Sequence, residues 1–225
     1  MFRNCKWWLA LLAALSVCSN AAAGNEAVFA QGGFVPYVEL TPTTEPATRG
    51  LERRVVFFVN FSCPYCRGIH RTLGEWSKGL PPAIRYEVVP AVGLAAHAPM
   101  AVAYYAVLSA APAKLEAYSE QLYSMLQDEH RPVDDVETYV AAAKAVGLSR
   151  ETFLKATQED EVRKFALRAQ ALTAAYGLTE VPTVVVGNRY LTNPRRVQNQ
   201  QEAFVMVMNG LVSMLYRGGS GSAMQ

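Results

Sequence analysis

The chain has few residues that bind metals or titrate near neutrality. Its 225 residues include three histidines and four cysteines. His70, His97 and His130 stand at no paired spacing, whereas a zinc site takes about four ligands. Surplus charge of one sign is also missing. Setting aside Arg3 and Lys6, which lie in the leader described below, 19 basic residues face 19 acidic ones. Nothing in that balance draws the chain to nucleic acid or to an anionic membrane surface. No internal repeat appears. Wholesale disorder is excluded by composition, since 51% of the residues are hydrophobic and a sizeable core can form.

The first residues read "MFRNCKWWLALLAALSVCSNAAAG". A short positive front is followed by the apolar run Trp7 to Val17 and then by small residues ending at Ala23. The run falls short of the roughly 20 residues that span a bilayer. The layout is that of a secretory signal peptide over residues 1–23. The alternative is a lipoprotein signal with Cys18 as the lipidated residue, against which bulky Val17 stands. On either reading the exported chain keeps one cysteine pair, Cys63 and Cys66. It works where disulfides form and persist.

The chain order implies an α/β fold. Residues 24–52 read as an N-terminal arm and Thr/Pro/Gly linker, with one short edge strand between Phe34 and Leu40. "VVFFVNF", Val55 to Phe61, is β-branched and aromatic without alternation, as a strand buried on both faces should be. A helix from Cys63 to about Lys78 carries the stripe Ile69, Leu73, Trp76. Ile84 to Val89 reads as a second strand, completing a βαβ unit. From about Ala95 to Tyr176 the periodicity is helical. Pro99 to Ala110 is apolar nearly all round, with Tyr104 and Tyr105 as core residues. Ser149 reads as an N-cap. Strands return at Thr183 to Val186 and Arg189 to Leu191 around a Gly187-Asn188 turn. A last helix covers about Asn199 to Tyr216, and residues 217–225 read as a disordered tail. Without the helical block the remainder is a thioredoxin-type sheet. The expected architecture is thus a thioredoxin domain, residues 53–94 and 177–216, with an inserted α-helical domain, residues 95–176.

Cys63-Pro64-Tyr65-Cys66 sits where the first long strand turns into a helix. A Cys-x-x-Cys pair near a βαβ pattern reads as a redox motif. A helix N-terminus offers unpaired N–H groups and the positive end of the helix dipole, and both favour a thiolate. The thiolate is the nucleophile of disulfide exchange. Cys63 should therefore be the exposed attacking sulfur and Cys66 the buried resolving one. Pro64 fits the first helical turn, where a missing N–H costs nothing. The bland alternative is an inert staple, but so small a loop restrains little chain entropy. His70, two turns along the same helix, either tunes the pair or is a solvated surface histidine. His97 reads as preceding or capping the helix near Pro99, and His130 as a loop residue.

These residues, "VVFFVNFSCPYC" and "EVPTVVVGNRYLTNP" with a helical block between them, resemble the DsbA family of periplasmic thiol:disulfide oxidoreductases. The resemblance spans about residues 34–216. It implies that Cys63 and Cys66 are the catalytic pair and that no cofactor is needed beyond their redox-active disulfide. It also implies that Val181-Pro182 is a cis-proline loop giving main-chain hydrogen bonds to a substrate strand. Spacing alone would leave Pro182 an ordinary trans proline at a strand start. Two positions depart from the best-known pattern. Tyr65 stands in place of a histidine, and Phe57 in place of a buried acid. Thiolate stabilisation then falls to the helix terminus and Pro64, with His70 or Arg67 as further candidates.

The function expected is a monomeric oxidase that gives its disulfide to reduced exported proteins. By family analogy, a membrane protein linked to quinones reoxidises it. The competing readings are an isomerase or reductase with a dedicated client, and a redox-inactive peptide-binding chaperone. Too few residues precede the first long strand for an N-terminal dimerisation domain of the isomerase kind.

Overall fold

The computed structural model describes residues 35–41, 44–93 and 95–220. The expected leader, with Cys5 and Cys18, and the end of the expected tail lie outside them.

Five strands form one mixed sheet: β1 (Val38–Glu39), β2 (Arg54–Val59), β3 (Arg85–Pro90), β4 (Thr183–Val186) and β5 (Tyr190–Thr192), in the order β1-β5-β4-β2-β3. β2 pairs parallel to β3 and antiparallel to β4, so it lies inside the sheet. Val55 through Val59 are all buried, which is why the strand shows no polar alternation. β1, on the outer edge beside β5, is exposed at both residues.

Between β2 and β3 runs α1 (Pro64–Ser77), its Ile69 and Leu73 turned inward as the spacing requires. Trp76 does not join them in the core. Its indole N–H donates to Asn209 Oδ1 at 2.8 Å, tying α1 to the last helix, α7 (Gln201–Ser220). α7 runs past the expected end at Tyr216, so residues 217–220 of the expected tail are helical.

Between β3 and β4 lie α2 (Ala98–Ala110), α3 (Leu115–Tyr123), α4 (Val136–Ala145), α5 (Arg150–Thr157) and α6 (Asp160–Ala175). Local chemistry sets their limits. Asp135 Oδ1 accepts the Glu137 amide at 2.9 Å, and Ser149 Oγ accepts that of Thr152 at 3.1 Å. α2 is apolar on every side and buries Tyr104 and Tyr105. α3 does not simply stop: it continues into a π turn, Ser124–Asp128.

The helical block is joined to the sheet by packing and by charge. Glu87 on β3 accepts from Arg54 on β2 at 3.1 Å and from Arg168 on α6 at 2.5 Å. Phe58 meets Tyr176 edge-on across the same boundary. The β4–β5 hairpin turns on Gly187 and Asn188, with φ of 63° and 58°. Two successive positive values are what a tight right-twisting hairpin needs.

Candidate active site

The site begins where β2 runs out. Asn60 folds the following turn: its carbonyl accepts the Cys63 amide at 3.0 Å and its Oδ1 accepts the Ser62 amide at 2.8 Å. The turn delivers Cys63 as the residue capping α1, in extended conformation, with Pro64 at the first helical position. The Cys66 amide then donates to the Cys63 carbonyl at 3.0 Å. Both cysteines are free thiols here, Cys63 half-buried and Cys66 fully buried.

The environment separates the two sulfurs. Cys63 is lowered from 9.0 to about 6, chiefly because the Cys66 thiol donates to it. Partial burial opposes that shift, while the Tyr65 and Cys66 amides at the helix start reinforce it. Cys66 is pushed the other way, first by holding the shared proton and then by burial. One sulfur is thus ready to attack at neutral pH, and its neighbour keeps its proton.

Val181-Pro182 lies against this pair, and its peptide bond is cis. In its thiol form Cys63 donates to the Val181 carbonyl at 3.5 Å, across 118 positions of sequence. A cavity of about 330 Å³ opens beside the loop, lined by Tyr65, Val181, Pro182, Asn193 and Arg195 among others. Tyr65, 68% exposed, forms its outer lip. On the rim, Glu180 is satisfied by the Asn193 amide at 2.7 Å and by Arg195 at 3.0 Å.

The tuning candidates fare unequally. Pro64 and Tyr65 are at the mouth of the site. His70 is not the solvated surface histidine that its position on the helix suggested. Its ring is enclosed by Phe57, Phe61 and Tyr123, with Nδ1 3.1 Å from the Tyr123 hydroxyl. Desolvation lowers it from 6.5 to about 4, against a small opposing pull from Glu120, so it brings no positive charge at neutral pH. The Arg67 guanidinium is engaged by Asp128 at 2.9 Å and Glu120 at 3.5 Å. His97 does precede α2, and its Nε2 lies 3.4 Å from Asn60 Nδ2.

Two residues at the site escaped the sequence reading. Asn60 had a local signal, a turn-forming residue directly before the motif. Gln127 had none. It reaches the cysteine loop from the π turn, far along the chain.

A half-exposed thiol at a helix start, a buried partner in the next turn and a cis-proline loop, all on a sheet of this order, define a thioredoxin-fold dithiol protein. The family model described as a DSBA-like thioredoxin domain matches residues 68–205, beginning just past Cys66. The chain belongs to that family and is an enzyme of the thiol:disulfide oxidoreductase class. It is 24% identical to the thiol:disulfide interchange protein DsbA of Bordetella parapertussis, over 89% of this chain and 92% of that one. To DsbA of Pseudomonas aeruginosa PAO1 it is 25% identical, over 68% and 72%. The crystal structure of Pseudomonas aeruginosa DsbA superposes with a TM-score of 0.71 at 21% identity, covering 82% of this chain and 94% of that one. A DsbA variant from Proteus mirabilis, solved with a non-covalently bound peptide, gives 0.66 at 17% identity, covering 79% and 96%.

Proposed function

We propose that this enzyme acts as an oxidase, passing the Cys63–Cys66 disulfide to pairs of thiols in exported proteins. The observation that carries the reading is the split between the sulfurs. Cys63 is reachable and lowered to about 6, and Cys66 is buried and protonated. Favouring the thiolate favours the reduced enzyme, which makes the disulfide a better oxidant.

The exchange balances as follows. A client thiolate attacks Cys63 Sγ of the oxidised enzyme. A client–Cys63 disulfide forms, the Cys63–Cys66 bond breaks, and Cys66 leaves as a thiolate that takes up a proton. The client's second thiolate then attacks its own bonded sulfur. The client gains a disulfide and Cys63 departs as the stabilised thiolate. Two electrons pass from client to enzyme. No cofactor enters this scheme.

In the same reading Val181 and Pro182 receive the client as an extended strand, and the neighbouring cavity takes its side chains. The peptide bound to the Proteus mirabilis relative is consistent with such a use. Residues 53–94 and 177–216 act as the catalytic thioredoxin domain, and 95–176 as an inserted domain. The enzyme is exported to the periplasm, works as a monomer and is reoxidised by a quinone-linked membrane protein. Among the described residues no helix is long and apolar enough to cross a membrane.

The test is stoichiometric. One equivalent of oxidised enzyme should form one disulfide in a reduced test protein, and Cys63→Ser should form none. Cys66→Ala should accumulate mixed disulfides, whose partners identify the clients. A pair as reducing as that of thioredoxin, near −270 mV, would end the oxidase reading.

A further inference from the structure

Gln127 lies in the π turn Ser124–Asp128 of the helical block, 64 positions from Cys63. A primary amide carries two N–H donors, and both of this one go to the cysteine loop. Nε2 donates to the Phe61 carbonyl at 2.9 Å and to the Cys63 carbonyl at 2.9 Å. These carbonyls bracket Ser62. The second also takes the Cys66 amide at 3.0 Å, so it closes the capping turn that opens α1.

That geometry fixes the peptide plane between Cys63 and Pro64. The Tyr65 and Cys66 amides, which face the Cys63 sulfur, follow directly from that plane. Hydrogen bonds weaken steeply as their angle degrades, so a small rotation there changes what the sulfur receives. The turn bearing Gln127 is itself held. Asp128 binds Arg67 at 2.9 Å and 3.2 Å, and the Tyr123 hydroxyl meets His70 at 3.1 Å. Single π turns within α-helices are frequent at functional sites, and this one projects an amide across the boundary between insertion and sheet.

We propose that Gln127 is a positioning residue for the exchange reaction: through its two hydrogen bonds, the helical insertion orients the amides that receive the Cys63 sulfur. The proposal rests on the reading of Cys63 as the exchanging sulfur. The insertion then does more than cover the site, because it sets how strongly the disulfide oxidises.

The test uses Gln127→Met, which keeps length and loses both donors, and Gln127→Glu, which puts a carboxylate against the two carbonyls. Cys63 is titrated by thiolate ultraviolet absorbance, and each protein is equilibrated with glutathione. In Gln127→Met the titration should move up by about one pH unit, and the equilibrium about tenfold toward the enzyme disulfide. Gln127→Glu should move both further, since it adds negative charge. A merely structural clamp would lower the melting temperature and leave both readings in place. Variants that titrate and equilibrate within about twofold of wild type would therefore overturn the proposal, whatever their stability. If the methionine variant does not fold, the glutamate variant decides alone. A wild type that exchanges nothing with glutathione would sink the functional reading, and this inference with it.

Discussion

At position 65 a tyrosine supplies area without charge, and replacing it measures what charge would add. Tyr65→His places an imidazolium in the first turn of α1, beside a sulfur already lowered to about 6. Thiolate absorbance should show Cys63 titrating lower, by up to about one pH unit, with the effect fading as the new histidine deprotonates above about 6.5. Cys63 also makes stability depend on pH in the reduced form alone. Its value is depressed from 9.0, so its contribution is full above about 9 and is lost as pH falls through about 6. Cys66, raised by the shared proton and by burial, acts in the opposite sense only above 9.0. Urea unfolding should therefore show the reduced form gaining on the oxidised form as pH rises from about 6 to about 9. His70 gives a separate signature in the oxidised form. The unfolded chain takes up a proton near 6.5 that the folded ring accepts only near 4. Stability should fall across that window by on the order of 3 kcal/mol, and His70→Gln should remove this part of the decline.

At the scale of elements, what was legible in the sequence was local. The run Val55 to Val59 announced a central strand because both its faces are buried. Ser149 announced a helix start because its hydroxyl accepts the Thr152 amide, and Ser149→Ala should lower stability by about 1 kcal/mol in thermal unfolding. The Gly187-Asn188 turn announced a hairpin, and its glycine is needed twice over. It holds φ at 63°, and a Cβ there would overlap the Leu215 side chain of α7 and crowd the Glu52 carbonyl. Gly187→Ala should cost about 2–4 kcal/mol, read as a lowered melting temperature with the sheet otherwise retained. What stayed illegible was set by distant partners. Nothing near Met125 foretold that α3 would run on as a π turn. His70 looked solvated because the rings enclosing it come from β2, from the loop that follows it and from α3. The cis geometry at Pro182 came from family resemblance, since local sequence favours trans.

At the scale of the molecule, an insertion was visible in the sequence, but its attachment was not. Glu87 is 19% exposed and holds two guanidinium groups, from Arg54 on the neighbouring strand and Arg168 on α6. Glu87→Ala leaves two cations facing each other beside the sheet, and urea unfolding should show a loss of about 2–3 kcal/mol. Glu87→Gln, which keeps the acceptor oxygen, should lose less.

The sheet margins bear on what such an enzyme meets. β1 offers two residues of backbone, flanked by the Glu39–Arg189 ion pair, and β3 opens at Arg85 and closes at Pro90. Brief, charged or proline-ended borders make poor templates for another chain to extend. On the proposed reading, in which the clients are unfinished exported chains, such borders keep the enzyme from becoming the seed on which they collect.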